Sequence, residues 1–166
     1  MEAVIDTYQS PLLRYAARLL NNSTLAQDAV QNAFIKLFRQ WKPDTHTDAR
    51  LKSWLFRVVH NEAVDIIRAE ERRRKHHEGH AALQMQNGMA GCSQKYAPDE
   101  RVEIVLRSLG VLPPAQQQVV LLRMQQGMSY EEIGAVTGKS IGYVGNLLHK
   151  AVHKLSGQVR KIEGGV

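Results

Sequence analysis

Residues 129–155, Ser-Tyr-Glu-Glu-Ile-Gly-Ala-Val-Thr-Gly-Lys-Ser-Ile-Gly-Tyr-Val-Gly-Asn-Leu-Leu-His-Lys-Ala-Val-His-Lys-Leu, decide the fold of this chain. Ser129 is followed three residues later by Glu132, the reciprocal pair whose side chains satisfy free backbone N–H groups at a helix start. Ile133 and Val136 give that helix an apolar side, and Gly134 leaves room for a crossing backbone. Gly138 stands where a helix commonly ends in a left-handed residue. Ser140 is placed to cap a second helix whose apolar positions Ile141, Val144, Leu147, Leu148, Ala151 and Leu155 recur at helical spacing. Two capped helices joined by a tight glycine-containing turn describe a helix-turn-helix, the second helix being the one that enters a DNA groove. A plain helical hairpin carries the same marks, so both readings stand at this point.

Working outward, 166 residues with 43% apolar content suffice for one ordinary domain or two small ones. Lys plus Arg exceed Asp plus Glu by 22 to 16, giving +6 and a pI near 9.6. That surplus favours an acidic partner such as nucleic acid. The one cysteine, Cys92, excludes an internal disulfide framework and suits a reducing compartment. No apolar run approaches the roughly 20 residues of a membrane-spanning helix, and no signal segment opens the sequence. The expectation is a cytoplasmic protein with no membrane insertion.

Periodicity divides the chain. Residues 1–75 read as a first helical domain, 76–98 as a polar, Gly-containing flexible linker, and 99–166 as a second helical domain containing the helix-turn-helix. The middle stretch is too long for a loop inside a compact domain, where connections run about 4–6 residues. Helices are expected near 3–21, 24–40 and 49–75, then 99–109, 114–126, 129–137 and 140–158. Pro11 falls early in a turn or kinks the first helix, and Asn22-Ser23-Thr24 breaks it and caps the next. The second helix carries the stripe Ala26, Ala29, Val30, Ala33, Phe34, Leu37 and Phe38. Pro114 fits a first helical turn. Val119-Val120-Leu121-Leu122 is a short apolar run between helix formers, so no strand is assigned. The fold class is all-α.

The long third helix has two unlike faces. At about 100° per residue, Leu51, Leu55, Val58, Val59, Ala63 and Ile66 share a core arc. Arg50, Arg57, Asn61, Asp65, Arg68, Arg72 and Lys75 fall opposite, with Trp54 among them. Cations that follow phosphates beside a ring that stacks on a base are what single-stranded nucleic acid calls for. A wet cationic face and a packed seam Trp would look the same. Asp65 and Arg68, three apart, are spaced to pair with each other.

Together the two halves make the chain resemble a bacterial RNA polymerase sigma factor of the small, extracytoplasmic-function type. The matching segments are Asp28-Ala-Val-Gln-Asn-Ala-Phe-Ile-Lys-Leu-Phe38 and Leu51 through Arg68 in the first domain. In the second they are Leu112-Pro-Pro-Ala-Gln-Gln-Gln-Val-Val-Leu-Leu-Arg123 and Ser129 through Leu155. The resemblance implies two helical domains, called regions two and four, joined by a flexible linker. It implies that Asp28, Gln31, Asn32, Lys36 and Arg39 dock on core RNA polymerase. It further implies that the loop 43–48 and the face with Trp54, Arg57, Asn61, Asp65, Arg68 and Arg72 melt and read the minus-ten promoter element. The helix beginning at Ser140 is implied to read the minus-thirty-five duplex through Lys139, Ser140, Tyr143, Asn146, His149, Lys150 and His153. Asn suits adenine, while Lys and His suit phosphates. Expected partners are core RNA polymerase, promoter DNA as duplex and as melted non-template strand, and an anti-sigma factor.

The sequence departs from that pattern in the second recognition helix. A small hydroxyl residue, a basic residue, Ser and Arg are usual where this chain has Tyr143, Gly145, Asn146 and Leu147. Two charges near DNA are thus missing, and Gly142 and Gly145 each weaken the helix by roughly 1 kcal/mol. Asn32 stands where an acidic residue is usual. A zinc site built from His76, His77, His80 and Cys92 lacks the spacing of a closed structural site. No cofactor, no metal and no catalytic residue is assigned, since no nucleophile–base pair, paired carboxylate or phosphate-cradling loop stands out. Beside the sigma-factor reading stand a degenerate sigma-like protein and a helix-turn-helix regulator acting without full promoter recognition.

Overall fold

The computed structural model describes residues 2–40, 42, 48–77 and 107–164, and among them it contains six α-helices and no strand. The chain divides into two compact units, Met1–Gly91 and Cys92–Val166. Of the expected loop 43–48, residues 43–47 lie outside the described residues while Asp48 already belongs to a helix; most of the linker and the start of the helix expected near 99–109 also lie outside them.

The first unit is built from α1 (Glu2–Leu20), α2 (Ser23–Gln40) and α3 (Asp48–His76), each packed on the other two. α1 runs through Pro11 without ending. The α1–α2 corner turns on Asn21, at φ 50°, and on Asn22, whose Oδ1 accepts the Leu25 N–H at 3.0 Å. The cap is therefore the first member of the expected Asn22-Ser23-Thr24 triplet. The core face of α2 is largely Ala26, Ala29 and Ala33, with Val30 and Leu37. Such small side chains let α1 and α3 approach closely.

Two expectations about this core are corrected. Phe34 is only half-buried and Phe38 is 72% exposed, because the alanine seam already fills the contact and the rings fall at its rim. On α3, Leu51, Leu55, Val59 and Ala63 are buried as expected, but Val58 and Ile66 are half-buried, whereas Phe56 and His60 are fully enclosed. The buried stripe is turned toward Phe56 and His60 because Tyr15, itself inaccessible, needs a partner for its hydroxyl. Tyr15 Oη and His60 Nδ1 share a buried hydrogen bond of 2.8 Å, and the Phe56 ring meets Tyr15 edge-on at 5.7 Å. Burial pushes the Tyr15 phenol far above its ordinary value. Past Ala63 nothing on α3 is buried. Its 29 residues outrun the 19 of α1 and the 18 of α2, so at about 1.5 Å per residue its last turns extend past those two helices.

The second unit consists of a 3-10 turn (Leu109–Val111) followed by α4 (Pro114–Met124), α5 (Tyr130–Thr137) and α6 (Ile141–Glu163). Pro114 opens α4 as expected, and Gln117 Nε2 donates to the Leu112 carbonyl at 2.8 Å. All of Val119–Leu122 is buried in helical form, since α4 packs against both α5 and α6. Between α4 and α5, Gly127 takes φ 62° and Arg123 Nη1 donates to the Met128 carbonyl at 2.7 Å, holding Met128 in the core. The capping box is complete: the Glu132 N–H reaches Ser129 Oγ at 3.2 Å, and the Ser129 N–H reaches Glu132 Oε2 at 2.8 Å. α5 ends at Gly138, whose φ of 73° is left-handed. α6 starts with the Tyr143 N–H donating to Ser140 Oγ at 3.2 Å, and it continues beyond the expected stop at 158.

The turn between α5 and α6 depends on one absent atom. A Cβ on Gly134 would lie 2.7 Å from the Lys139 carbonyl oxygen, a backbone group that cannot move aside. Gly142, by contrast, faces open space. Gly134→Ala is therefore expected to destabilise the second unit by about 1–3 kcal/mol through overpacking. Gly142→Ala should stabilise it by up to about 1 kcal/mol. Thermal denaturation followed by circular dichroism on the two variants checks both signs.

Candidate nucleic-acid and polymerase-binding faces

On α3, Arg57, Asn61, Asp65, Arg68 and Arg72 are exposed and Trp54 is half-buried. At about 100° per residue all six fall within roughly a quarter turn, opposite the stripe that contacts α1 and α2. The structure thus brings the candidates on this helix onto one face. Arg68 Nη1 lies 4.0 Å from Asp65 Oδ1, with the two side chains 69% and 79% exposed. A pair that long and that wet contributes little, so the guanidinium stays available to another anion. Arg73 and Glu70 form a similar exposed pair at 3.7 Å. The cations Arg73, Arg74 and Lys75 sit in the last turn of α3, where they also complement the negative end of the helix dipole.

On α2, Asp28, Gln31, Asn32, Lys36 and Arg39 are all exposed. Lys36 Nζ forms an ion pair with Glu62 Oε1, which ties this face to α3. Sequence reasoning missed the apolar part of this surface. A groove between α1 and α2 is lined by Ile5, Leu13, Val30, Phe34, Ile35 and Phe38, with Gln31 and Arg39 at its edge. Ile35 and Phe38 are among its exposed members. The signal was present: a seam of alanines leaves no core position for phenylalanines at its border.

In the second unit, Tyr143, Asn146, His149, Lys150 and His153 are exposed on α6, opposite the buried Val144, Leu147, Leu148, Ala151 and Leu155. Lys139 is half-buried, with its ammonium 5.6 Å from the centroid of the Tyr143 ring. That contact orients the ring at the start of α6. Ser140 is exposed, and its hydroxyl is engaged in capping. Ile141, expected among the core positions, is instead 52% exposed at the first position of α6. Leu147 is buried at 6% exposure, so the position lacking the usual Arg is used here for packing. Gly145 faces the Tyr130 ring, which a Cβ there would meet at an ordinary 3.5 Å, and the Arg123 guanidinium lies 5.3 Å over the same ring. Arg123 and Tyr130 thus sit beside α6, a placement that their spacing in sequence does not announce.

Of the four linker residues considered for zinc, His76 and His77 are exposed, and His80 and Cys92 lie outside the described residues. Among the described residues no three His, Cys, Asp or Glu gather as a metal site. No described helix is long and apolar enough to cross a membrane.

Comparisons with known proteins agree with this geometry. Residues 4–73 match the Sigma-70 region 2 family and residues 102–155 match the Sigma-70, region 4 family. The chain is similar to the RNA polymerase sigma-E factor of Streptomyces coelicolor, at 34% identity over 93% of this chain and 82% of the relative. It is also similar to the ECF RNA polymerase sigma-E factor of Escherichia coli K12, at 28% identity over 96% of this chain and 86% of that protein. Among solved structures, the sigma factor RpoE of Bartonella quintana, crystallised with the anti-sigma factor NepR, shares the fold with a TM-score of 0.75 at 21% identity, covering 96% of each chain. CnrH, solved with the cytosolic domain of CnrY, gives 0.63 at 22% identity, covering 95% of this chain and 86% of that one. The chain belongs to the extracytoplasmic-function sigma factors, a family of transcription initiation factors.

The cap at Ser140 sets where α6 begins, and with it the presentation of Tyr143. Ser140→Ala should cost about 0.5–2 kcal/mol of second-unit stability. Ser140→Asp, which keeps an acceptor, should largely restore it. Urea denaturation of the two variants makes the comparison.

Proposed function

We infer that this chain is the promoter-specificity subunit of a bacterial RNA polymerase, acting by binding alone and with no reaction of its own. The observation that carries the reading is the pairing of two sigma-type units in order, each presenting a polar, cation-bearing helix face opposite its core. Residues 1–75 and 99–166 act as the two arms and 76–98 as the tether. The work is done in the cytoplasm, where polymerase and chromosome meet.

Core polymerase is held by the α2 face, with Asp28, Gln31, Asn32, Lys36 and Arg39 supplying polar contacts and Ile35 and Phe38 an apolar anchor. The α3 face then takes the minus-ten element. Arg57, Arg68 and Arg72 hold the phosphates of the displaced non-template strand, Asn61 and Asp65 offer hydrogen bonds to bases, and the half-buried Trp54 lies among them. Capture of an unstacked base offsets a few kcal/mol of unstacking and selects sequence in the same step. α6 takes the minus-thirty-five duplex in the major groove. Asn146 is suited to the N6 and N7 edge of adenine, and Lys150, His149 and His153 are suited to phosphates. The solved RpoE neighbour was crystallised with an anti-sigma factor, which supports an inhibitor of that class as a partner of this chain.

A second reading has a specific observation behind it. Gly145 and the buried Leu147 remove two cations from the duplex-facing helix, and each lost phosphate contact lowers affinity and its salt dependence. A regulator that lacks full minus-thirty-five recognition would show this. Run-off transcription with core polymerase across a promoter library separates the two, since only a sigma factor yields defined starts.

Two outcomes are expected within the leading reading. Replacing Arg57 and Arg68 by Ala should slow open-complex formation while leaving affinity for core polymerase and thermal stability near those of the parent. Permanganate footprinting beside a core-binding assay reads this, and normal opening by the double variant would reduce the face to a solvated one.

On matched minus-thirty-five duplexes, Asn146→Ala should cost about 1–3 kcal/mol and relax preference at one base step. Lys150→Ala should weaken matched and scrambled duplexes alike and flatten the salt slope by about 1. Titrations at several salt concentrations distinguish the two, and equal affinity of the parent chain for both duplexes would remove specific readout from α6.

A further inference from the structure

Two of the exposed side chains on α6, His149 and His153, stand four residues apart within an unbroken helix. Residues at that spacing are neighbours on the helix surface, with Cβ atoms about 5–6 Å apart. Two histidines at this spacing on one helix face can both reach a single ion, the spacing at which helical His pairs grip zinc. The helix is held along its opposite side by Leu148, Ala151 and Leu155, all buried, so the pair rides on a fixed backbone and little order has to be imposed on binding. Among the described residues no third His, Cys, Asp or Glu joins them. The protein thus offers two nitrogen ligands and leaves the remaining positions open.

We propose that His149 and His153 form a bidentate site for a divalent transition ion of the imidazole-preferring class, and that its occupancy strengthens duplex binding by α6. Neutral imidazole suits Zn2+, Ni2+ and Cu2+, while Mg2+ and Ca2+ prefer oxygen ligands. Two ligands give a weaker site than the closed four-ligand kind, and the nearby Lys150 and Lys154 oppose a dication further. The ion therefore exchanges and its occupancy follows its concentration.

The consequence for DNA follows from charge. Two imidazole rings occupy the exposed face of α6, on a helix that has lost cations at Gly145 and Leu147. A bound dication puts two positive charges there, with open positions that a phosphate oxygen or a guanine N7 can fill. Duplex affinity then rises and depends more steeply on salt, because more counterions are released on binding. This coupling rests on the reading of α6 as the duplex-facing helix, whereas the metal site itself does not.

The test uses the full chain and Zn2+ alone as the probe. Calorimetric titration without DNA should show binding that is lost or weakened about tenfold or more, the loss of one of two ligands, in His149→Ala and equally in His153→Ala. Undiminished binding in both variants would place the ion elsewhere, for example on His76 and His77, and overturn the site. Duplex titrations at several salt concentrations, with and without Zn2+, should then show tighter binding and a slope steeper by about 1–2 with the ion, and no such change in either variant. Unchanged or weaker duplex binding by the metal-loaded parent overturns the coupling. Failure to bind duplex under every condition sinks the promoter reading and the coupling with it, and the calorimetry still decides the metal site.

Discussion

The hydrogen bond between Tyr15 and His60 fixes how α3 is rotated about its own axis. Both groups are enclosed, and a buried hydroxyl or ring nitrogen left unpaired costs about 1–3 kcal/mol. α3 therefore settles with His60 and Phe56 turned inward rather than Val58. A helix has one rotation, so the inward choice at position 60 also decides what points outward. Arg57, Asn61, Asp65, Arg68 and Arg72 follow as the far side of the same cylinder. The corresponding constraint in the second unit is steric. The Lys139 carbonyl closes on Gly134, which sets how α6 leaves α5 and hence which of its faces is turned away from the core.

These two constraints explain what was legible in the sequence and what was not. The capping box at Ser129 and Glu132, the left-handed Gly138 and the Ser140 cap are local, each satisfied within a turn of chain, so residue type and spacing gave them away. The outward face of α3 was legible too, because a quarter-turn of cations survives a modest error in rotation. The inward face was less so. Periodicity weighs Val58 and His60 by their hydropathy and cannot see that Tyr15, forty-five residues earlier, supplies a partner. Phe34 and Phe38 failed for the same reason, since their burial depends on how closely three alanines let the neighbouring helices approach. Arg123 and Tyr130 went unnoticed because their relation to Gly145 exists only once α4, α5 and α6 are packed.

The departures of α6 from the family pattern take on a physical sense in this light. Leu147 lies at the border of the buried stripe, where a long cationic side chain would have to bend outward to reach water. A leucine packs there directly and tightens the core. At Gly145 a side-chain carbon would meet the Tyr130 ring at 3.5 Å, an ordinary van der Waals distance, so the packing alone does not demand a glycine there. Positive charge remains on the exposed side of the helix at Lys150 and Lys154.

The alanine seam of α2 carries the argument to the other binding face. Small side chains inward allow tight packing but bury little apolar area, so α2 contributes less to the core than a helix of its length might. The larger apolar groups, Phe34, Ile35 and Phe38, are displaced to the rim of a groove open to solvent. Fully covering a phenylalanine side chain is worth about 1.5–3 kcal/mol, and at Phe38 most of that gain is still unrealised in the free chain. Lys36, paired with Glu62, holds the neighbouring polar rim in register with α3. A partner helix laid in the groove would bury the rings and meet this ordered rim at once. The same substitution of alanine for bulk that lets three helices close into a unit therefore leaves the unit with an adhesive edge, and places that edge one helix away from the face proposed to open DNA.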